Sequence, residues 1–410
     1  MSNRATRRPR RAVKALGLLI ALCLLAVTAL VVSLSVERRL EVTLPVPTGP
    51  FGVGRAIFDW KDDATIDPVA PAPGTKRELL VWIWYPADGG SSAALDDYVP
   101  TELQHATGRR GSSLMTLLTR DLSKVRAHSF RNPDMSPRAP SYPVVIMRTG
   151  ASLGVLTYSA LAEDLASQGY VVVGFDAPYR TGVVAFPDGR VFERTPENNP
   201  ETFEGQPHAD RLNKLLAAWT ADMGFVLGRL ARLTPTDDAG RFAGRLDLTR
   251  VGVFGHSFGG AQTAQFCHDD ARCKAGIDID GLLLGSVVQG GLRQPFMFLF
   301  SDQATATDPE STQIKADIQS VYDRLPPDAR VRAMIRGASH FLFSDDGALL
   351  KSHIVLGMLR TFGVVGIDGR RQLAVTSYCV RTFFDRYLKS AGNGPLDLAS
   401  PLYPELRFLN

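Results

Sequence analysis

Residues 250–260 read RVGVFGHSFGG, a run that few folds can accommodate. Arg250-Val251-Gly252-Val253-Phe254 is apolar and β-prone, the pattern of a buried parallel strand. It enters Gly255-His256-Ser257-Phe258-Gly259. The small residues of Gly260-Ala261-Gln262-Thr263-Ala264-Gln265-Phe266 then let a helix start tight against the sheet. A serine on such a turn has its hydroxyl pushed out of the sheet, with the following backbone N–H groups aimed at whatever it attacks. Glycine flanks it because the turn is strained and the helix packs close behind. The bare pentapeptide is a weak signal in a chain with 37 glycines. The strand before it and the helix after it make Ser257 a candidate nucleophile and the chain a candidate hydrolase.

The surrounding pattern agrees. Leu79 to Tyr85, Val144 to Met147, Tyr170 to Phe175, Ala275 to Asp280, Pro295 to Phe300 and Val331 to Ile335 read as strands. Tyr158 to Gln168, Asp210 to Leu233 and Leu373 to Leu388 read as helices. This alternation predicts an α/β chain with a doubly wound, mostly parallel sheet of the α/β-hydrolase type, its catalytic groups at the carboxyl ends of strands. No repeat is visible, and residues 76–410 read as one catalytic domain. Residues 86–140 interrupt the rhythm. There Ser112 to Leu118 is amphipathic, with Arg109, Arg110, Arg120, Lys124 and Arg126 around it, and two readings stay open: a surface excursion, or a lid or flap insertion that touches lipid. Residues 37–75 carry Pro45, Pro47, Pro50, Pro68, Pro71 and Pro73 and read as a Pro-rich tether.

Residues 1–14 form a basic flank with Arg4, Arg7, Arg8, Arg10, Arg11 and Lys14 and no acid. These six cations exceed the whole formal charge of +4, so the body gives no support to a nucleic-acid partner. Residues 15–36 are apolar, free of charge and long enough to cross a bilayer as one helix. The cationic flank favours a cytoplasmic N-terminus with the body on the extracytoplasmic side. The run exceeds an ordinary signal h-region and reads as an uncleaved transmembrane signal-anchor. The alternative is secretion after cleavage near Val27-Thr28-Ala29; Arg10-Arg11 as a twin-arginine signal suits so apolar a run less well. A buried helix of a soluble fold conflicts with the charge asymmetry. In an oxidising compartment Cys267 and Cys273 close a small disulfide loop, whereas a metal site made with His268 lacks enough other ligands. Cys379 reads as a buried thiol.

An attacking serine needs a base, and the base an orienting acid. On this type of fold they follow in the order serine, acid, histidine. His256 and His268 come too early, and His353 sits in the apolar, helix-like stretch from Leu349 to Leu359. His340 follows the strand ending at Ile335 through Gly337-Ala338-Ser339 and is the candidate base. Asp280 and Asp302 each end a strand, and spacing alone leaves them close to equal.

The residues Gly255-His256-Ser257-Phe258-Gly259-Gly260, Gly276-Ile277-Asp278-Ile279-Asp280 and Ile335-Arg336-Gly337-Ala338-Ser339-His340 carry a resemblance to the platelet-activating factor acetylhydrolase family, the lipoprotein-associated phospholipase A2 type with its bacterial relatives. Tyr158-Ser159-Ala160 and Asp164 to Gly169 match as well, and the similarity in pattern covers roughly residues 80–390. The resemblance implies Asp280 as the acid, with Asp302 the alternative. It also implies an oxyanion hole made by the N–H groups of Phe258 and Ala151. Thr149 stands where the family has a histidine before Gly150, a change that leaves a backbone donor in place. The implied chemistry is ester hydrolysis through an acyl-enzyme, without metal or organic cofactor, on short-acyl or phospholipid esters. A general carboxylesterase, a lipase and a polyester-type hydrolase are the alternatives. A binding protein on a hydrolase scaffold is the non-enzymatic one, which the intact Ser257, Asp280 and His340 argue against. A peptidase would bring a propeller or large cap that the sequence lacks.

Overall fold

The computed structural model describes residues 7–88, 93–108, 120–151, 153–199, 205–302, 309–349, 356–357, 360–361, 366–390, 396 and 398–409. Ser112–Leu118 and His353, singled out in the sequence, lie outside them. The chain builds one large sheet from β1 (Val42–Thr43), β2 (Gly52–Ile66), β3 (Lys76–Ala87), β4 (Leu95–Asp97), β5 (Val125–Arg131), β6 (Tyr142–Arg148) and β7 (Val171–Asp176). The hairpin β8 (Val183–Ala185) and β9 (Val191–Glu193) stands apart, and β10 (Leu246–His256), β11 (Cys273–Ile279), β12 (Phe296–Ser301), β13 (Arg330–Ile335) and β14 (Leu406–Phe408) complete the sheet. The spatial order is β1-β5-β2-β3-β7-β6-β10-β11-β12-β13-β14, with β4 on β5. From β7 to β13 every neighbouring pair is parallel. β3 runs antiparallel to β7 and to β2, and β14 antiparallel to β13. The sheet is therefore mixed and mostly parallel.

Parallel strands need both faces covered, and the side chains divide accordingly. On one face Val145, Phe254 and Ile277 pack with Leu161 and Leu165 of helix Ser159–Ser167 and with Val380 and Phe384 of helix Gly369–Leu388. On the other, Ile146, Val253 and Phe298 meet Trp219 and Met223 of helix Gly205–Leu230, Ala261 and Ala264 of helix Phe258–Asp269, and Val321 of helix Pro309–Arg324. Alternation along β10 decides which residue faces which layer. At Gly252 a side-chain carbon would lie 2.6 Å from Phe384 and 2.8 Å from Leu388, so glycine sets the depth at which the C-terminal helix seats.

Two sequence expectations need correction. Residues 37–75 are not a tether. β1 follows the N-terminal helix after two residues, and β2 within this segment is the longest strand, paired with β3 from Gly52↔Ala87 to Ile66↔Lys76. Its prolines lie before Gly52 and after Ile66, leaving the strand free to donate, while Val53, Ala56 and Trp60 are buried. Nor is all of 86–140 an appended flap: β5 pairs in parallel with β1 and β2, and its Val125 and Ala127 lie in the core.

The N-terminal helix spans Arg7–Arg39. Its stretch Val13–Arg39 has a mean hydropathy of 2.9 over its most apolar window, none of which is buried in the protein, and is long enough to be a candidate membrane span.

Candidate active site

Strand register delivers the site. Gly255 of β10 stands opposite Arg148 of β6 and Asp278 of β11, and His256 stands opposite Ile279. Ser257 and Asp280 are thus the first residues beyond the carboxyl ends of adjacent strands. Ser257 has φ +57° and ψ −125°, a conformation that costs a non-glycine residue about 1–3 kcal/mol and that its surroundings enforce. Its N–H donates to the Ile279 carbonyl at 2.9 Å. A side-chain carbon on Gly255 would lie 2.1 Å from the Gly259 carbonyl oxygen, and one on Gly259 2.7 Å from the Arg148 and Thr149 carbonyl oxygens. Only glycine lets the strand, the turn and the neighbouring loop approach so closely.

The three residues expected from sequence come together. The Ser257 Oγ lies 3.2 Å from His340 Nε2, and His340 Nδ1 lies 2.7 Å from Asp280 Oδ2. The second Asp280 oxygen accepts the Ser301 N–H at 2.7 Å. Burial raises the affinity of the Asp280 carboxyl for a proton, but the hydrogen bonds from His340 and the Ser301 N–H outweigh it and hold its pKa below the ordinary value. A carboxylate kept ionised on Nδ1 fixes the imidazole with Nε2 as the acceptor toward a serine hydroxyl. The arrangement can take a proton from Ser257 and return it to a leaving group.

Asp302 does not reach His340 Nδ1. Its Oδ2 accepts the Gly337 N–H at 2.8 Å, and its own N–H donates to the Ala338 carbonyl at 3.2 Å. Asp302 therefore braces the turn that carries His340. The two strand-end aspartates divide into one on the imidazole and one on its loop, a division invisible to spacing.

The loop after β6 lies beside the serine. A side-chain carbon on Gly150 would sit 3.5 Å from Ser257 Cβ. The loop is closed by Thr149 Oγ1 donating to the Leu153 carbonyl at 2.8 Å and the Leu153 N–H donating to the Gly150 carbonyl at 3.2 Å. Arg148 anchors its root: Nε donates to Gln262 Oε1 and Nη1 to the Phe175 carbonyl, both at 2.8 Å, with the guanidinium 4.0 Å and 4.4 Å from the Phe175 and Trp219 ring centres. Gln262 belongs to the helix after Ser257, so this side chain ties the loop to that helix. Phe258, at the start of the helix, is buried.

Several polar groups around the site escaped the sequence reading. His256, set aside there as too early to be the base, is buried with its ring centre 4.6 Å from that of His340. Its Nδ1 lies 2.6 Å from the Tyr158 hydroxyl, which also accepts the Gly150 N–H at 3.4 Å. Burial, reinforced by the neighbouring His340, pushes the His256 pKa down to about 3, so it remains neutral. Asp345, five residues beyond His340, accepts the Ser159 and Ala160 N–H groups at 2.9 and 3.0 Å and the Tyr98 hydroxyl at 3.0 Å. It pins the His340 loop to the start of the helix behind the Thr149–Leu153 loop. Burial moves it up to about 7 against those donors. Asp278 is fully buried, with both oxygens lacking a hydrogen-bond partner, and burial with the nearby Asp280 raises its pKa well above normal. An aspartate on an alternating strand gives no warning of such a place.

Cys267 and Cys273 are joined by a disulfide, and Cys379 is a buried free thiol. Among the described residues no group of three or more His, Cys, Asp or Glu side chains is placed to hold a metal ion.

Comparison with known proteins agrees with this geometry. Over 394 residues the chain is 27% identical to a probable 1-alkyl-2-acetylglycerophosphocholine esterase of Arthroderma benhamiae, covering 90% of this chain and 94% of that protein. It is 26% identical over 329 residues to a platelet-activating factor acetylhydrolase of Cavia porcellus, covering 74% of this chain and 69% of the other. Among solved structures it is similar to a ferulic acid esterase from Streptomyces cinnamoneus, with a TM-score of 0.72, 27% identity, and coverage of 90% of this chain and all of that one. The sequence profile of platelet-activating factor acetylhydrolase, isoform II, matches residues 37–182 and 233–391. With that match over most of its length, and an esterase as its structural neighbour, the chain is an ester-hydrolysing enzyme that belongs to the platelet-activating factor acetylhydrolase isoform II family.

Proposed function

We propose that the enzyme is a serine esterase that transfers an acyl group to Ser257 and then to water. The observation that carries this reading is the unbroken contact from Ser257 Oγ through His340 to Asp280, on a serine held at positive φ. His340 Nε2 takes the Ser257 proton as Oγ bonds to the ester carbonyl carbon. The carbon–oxygen bond to the leaving alcohol then breaks, and the alcohol departs with that proton. Water, deprotonated by the same nitrogen, releases the acid and restores Ser257. Asp280 holds the imidazole and balances its transient charge. The N–H groups of Phe258 and Ala151 receive the oxyanion, each worth on the order of 3 kcal/mol in the transition state.

The relatives support a substrate class, a glycerophospholipid bearing a short acyl group. The apolar helix Val13–Arg39 supports a single-pass anchor with the enzyme on the extracytoplasmic side, secretion after cleavage being the alternative. A second substrate reading, an aromatic acyl ester, is favoured by the full-length likeness to a ferulic acid esterase. A panel of p-nitrophenyl esters from C2 to C16, methyl ferulate and a 2-acetyl glycerophosphocholine separates them. The expected result is a preference for C2–C4 esters and the acetyl phospholipid. Preference for methyl ferulate would replace the lipid reading, and wild-type turnover by Ser257→Ala would remove the mechanism.

A further inference from the structure

The N-terminal helix ends at Arg39, and β1 begins at Val42. Only Leu40 and Glu41 lie between, so the three chain steps span at most about 11 Å. β1 is already part of the sheet: Val42 pairs with Val125, and the Leu44 N–H donates to the Arg126 carbonyl at 2.9 Å. The helix end is itself clamped to the body. Leu34 is 4% exposed. The Asp121 N–H donates to the Arg38 carbonyl at 3.2 Å, and Arg120 reaches the Glu37 carbonyl with Nη1 at 3.4 Å. The same guanidinium donates through Nε to the Leu349 carbonyl at 2.8 Å, at the far end of the segment that begins with His340. One arginine thus links the helix end to the catalytic loop region.

The charge-free run stops at Val36, which places Glu37–Arg39 at headgroup level if the helix spans a bilayer. The headgroup layer is only about 6 Å deep. A junction of two residues can hold the start of the sheet no more than a few ångström beyond it. The side chains gathered there suit an anionic surface: Arg39, Lys124, Arg126 and Arg370 are exposed and Arg38 and Arg120 half-buried, against the acids Glu37, Glu41, Asp121 and Asp368. Glu41 is already paired with Arg126 at 3.0 Å. Val36 and Leu40 are more than half exposed beside them, apolar groups suited to the lipid boundary.

We propose that this junction is a rigid stalk that docks the enzyme on an anionic phospholipid surface. The Arg120–Arg126 edge and the distal end of the 340–349 segment face the headgroups, and the enzyme draws ester lipids from the leaflet in which its own helix ends. The proposal rests on the membrane-anchored esterase reading. It adds a fixed orientation in place of a free tether.

The test uses the full-length chain reconstituted in vesicles of phosphatidylcholine and phosphatidylglycerol. A twelve-residue Gly/Ser insertion between Leu40 and Glu41 loosens the junction to a root-mean-square span of roughly 20 Å, and Arg120→Ala removes the arginine's link between the helix end and Leu349 while leaving the chain length unchanged. Each preparation is assayed on soluble p-nitrophenyl acetate and on a fluorogenic short-acyl phospholipid embedded in the same vesicles. Both changes are expected to leave the soluble rate within twofold and to lower the embedded-lipid rate at least fivefold. Unchanged embedded-lipid rates overturn the proposal, and so does an equal loss on both substrates, which would make the junction a support of the fold alone. Failure of the esterase reading shows separately, as absence of hydrolysis of either substrate by the unaltered enzyme. Orientation is read without activity by a fluorophore on Lys124→Cys, in a Cys23→Ser background, against headgroup-labelled quencher lipid. Quenching that the insertion abolishes supports the proposal, and no quenching in the unaltered junction overturns it.

Discussion

Asp280→Asn and Asp302→Asn form the sharpest pair of substitutions, because sequence spacing ranked the two carboxylates together and the structure separates them. Asp280 uses both oxygens as acceptors, one for His340 Nδ1 at 2.7 Å and one for the Ser301 N–H at 2.7 Å. Asparagine has a single acceptor oxygen. With that oxygen kept on the Ser301 N–H, the amide NH2 points at Nδ1 and forces the imidazole proton onto Nε2. The nitrogen facing Ser257 then cannot accept a proton. The expected loss in kcat for this wrong tautomer is about 10⁴-fold, or roughly 5.5 kcal/mol at 1.36 kcal/mol per decade. Asp302→Asn alters the contact with the Gly337 N–H in the His340 turn and leaves His340 Nδ1 on Asp280. Asparagine keeps an acceptor oxygen for that N–H, so what is lost is the extra strength of a carboxylate acceptor, about 1 kcal/mol, and the expected fall is near tenfold or less. Both variants are assayed as kcat on p-nitrophenyl acetate, with urea midpoints to confirm folding. Equal losses, or a greater loss for Asp302→Asn, would refute the assignment of Asp280 to the imidazole.

Three further outcomes follow from the same geometry. His256 is neutral in the fold down to about pH 3, while the unfolded chain takes up its proton near 6.5. Between these values the unfolded state binds more protons, so stability falls as pH drops. From pH 7 to 5 the loss is about 2 kcal/mol. Urea unfolding of His256→Gln should show that much less change across the same interval, and an identical pH slope would contradict the burial argument. Tyr158→Phe strips the partner from His256 Nδ1 and is expected to lower stability by about 1–3 kcal/mol and kcat several-fold with KM unchanged; an unshifted urea midpoint would show that the contact is idle. Replacing Cys267 and Cys273 together by alanine opens a loop of sequence separation 6, with an expected cost of about 2 kcal/mol from chain entropy, read as a lower urea midpoint under non-reducing conditions than for the parent.

Much of the fold was legible because parallel strands buried on both faces announce themselves as continuous apolar runs. Val144 to Met147, Val171 to Phe175 and Val251 to Phe254 are such runs, and the elbow between strand and helix needs glycine at 255 and 259 for reasons that act within ten residues. β2 was illegible for the converse reason. Its second half, Lys61-Asp62-Asp63, is charged because that end reaches solvent, and prolines on either side imitate a linker. β5 was hidden by its alternation of buried and exposed residues amid basic side chains. In the site, Ser257 and His340 were marked by position in the chain order. The roles of Asp302, Asp345 and His256 depend on contacts between segments far apart in sequence, such as Asp345 with Ser159 and Ala160. No local pattern encodes those contacts.

Ser257 is proposed as the nucleophile on which ester hydrolysis by this enzyme depends. Intact-protein mass spectrometry after a fluorophosphonate, followed by peptide mapping, tests it with no assumption about substrate. One stoichiometric adduct on Ser257, complete loss of p-nitrophenyl acetate turnover on labelling, and no adduct in Ser257→Ala are expected. An adduct on another serine, or turnover surviving full labelling of Ser257, would contradict it.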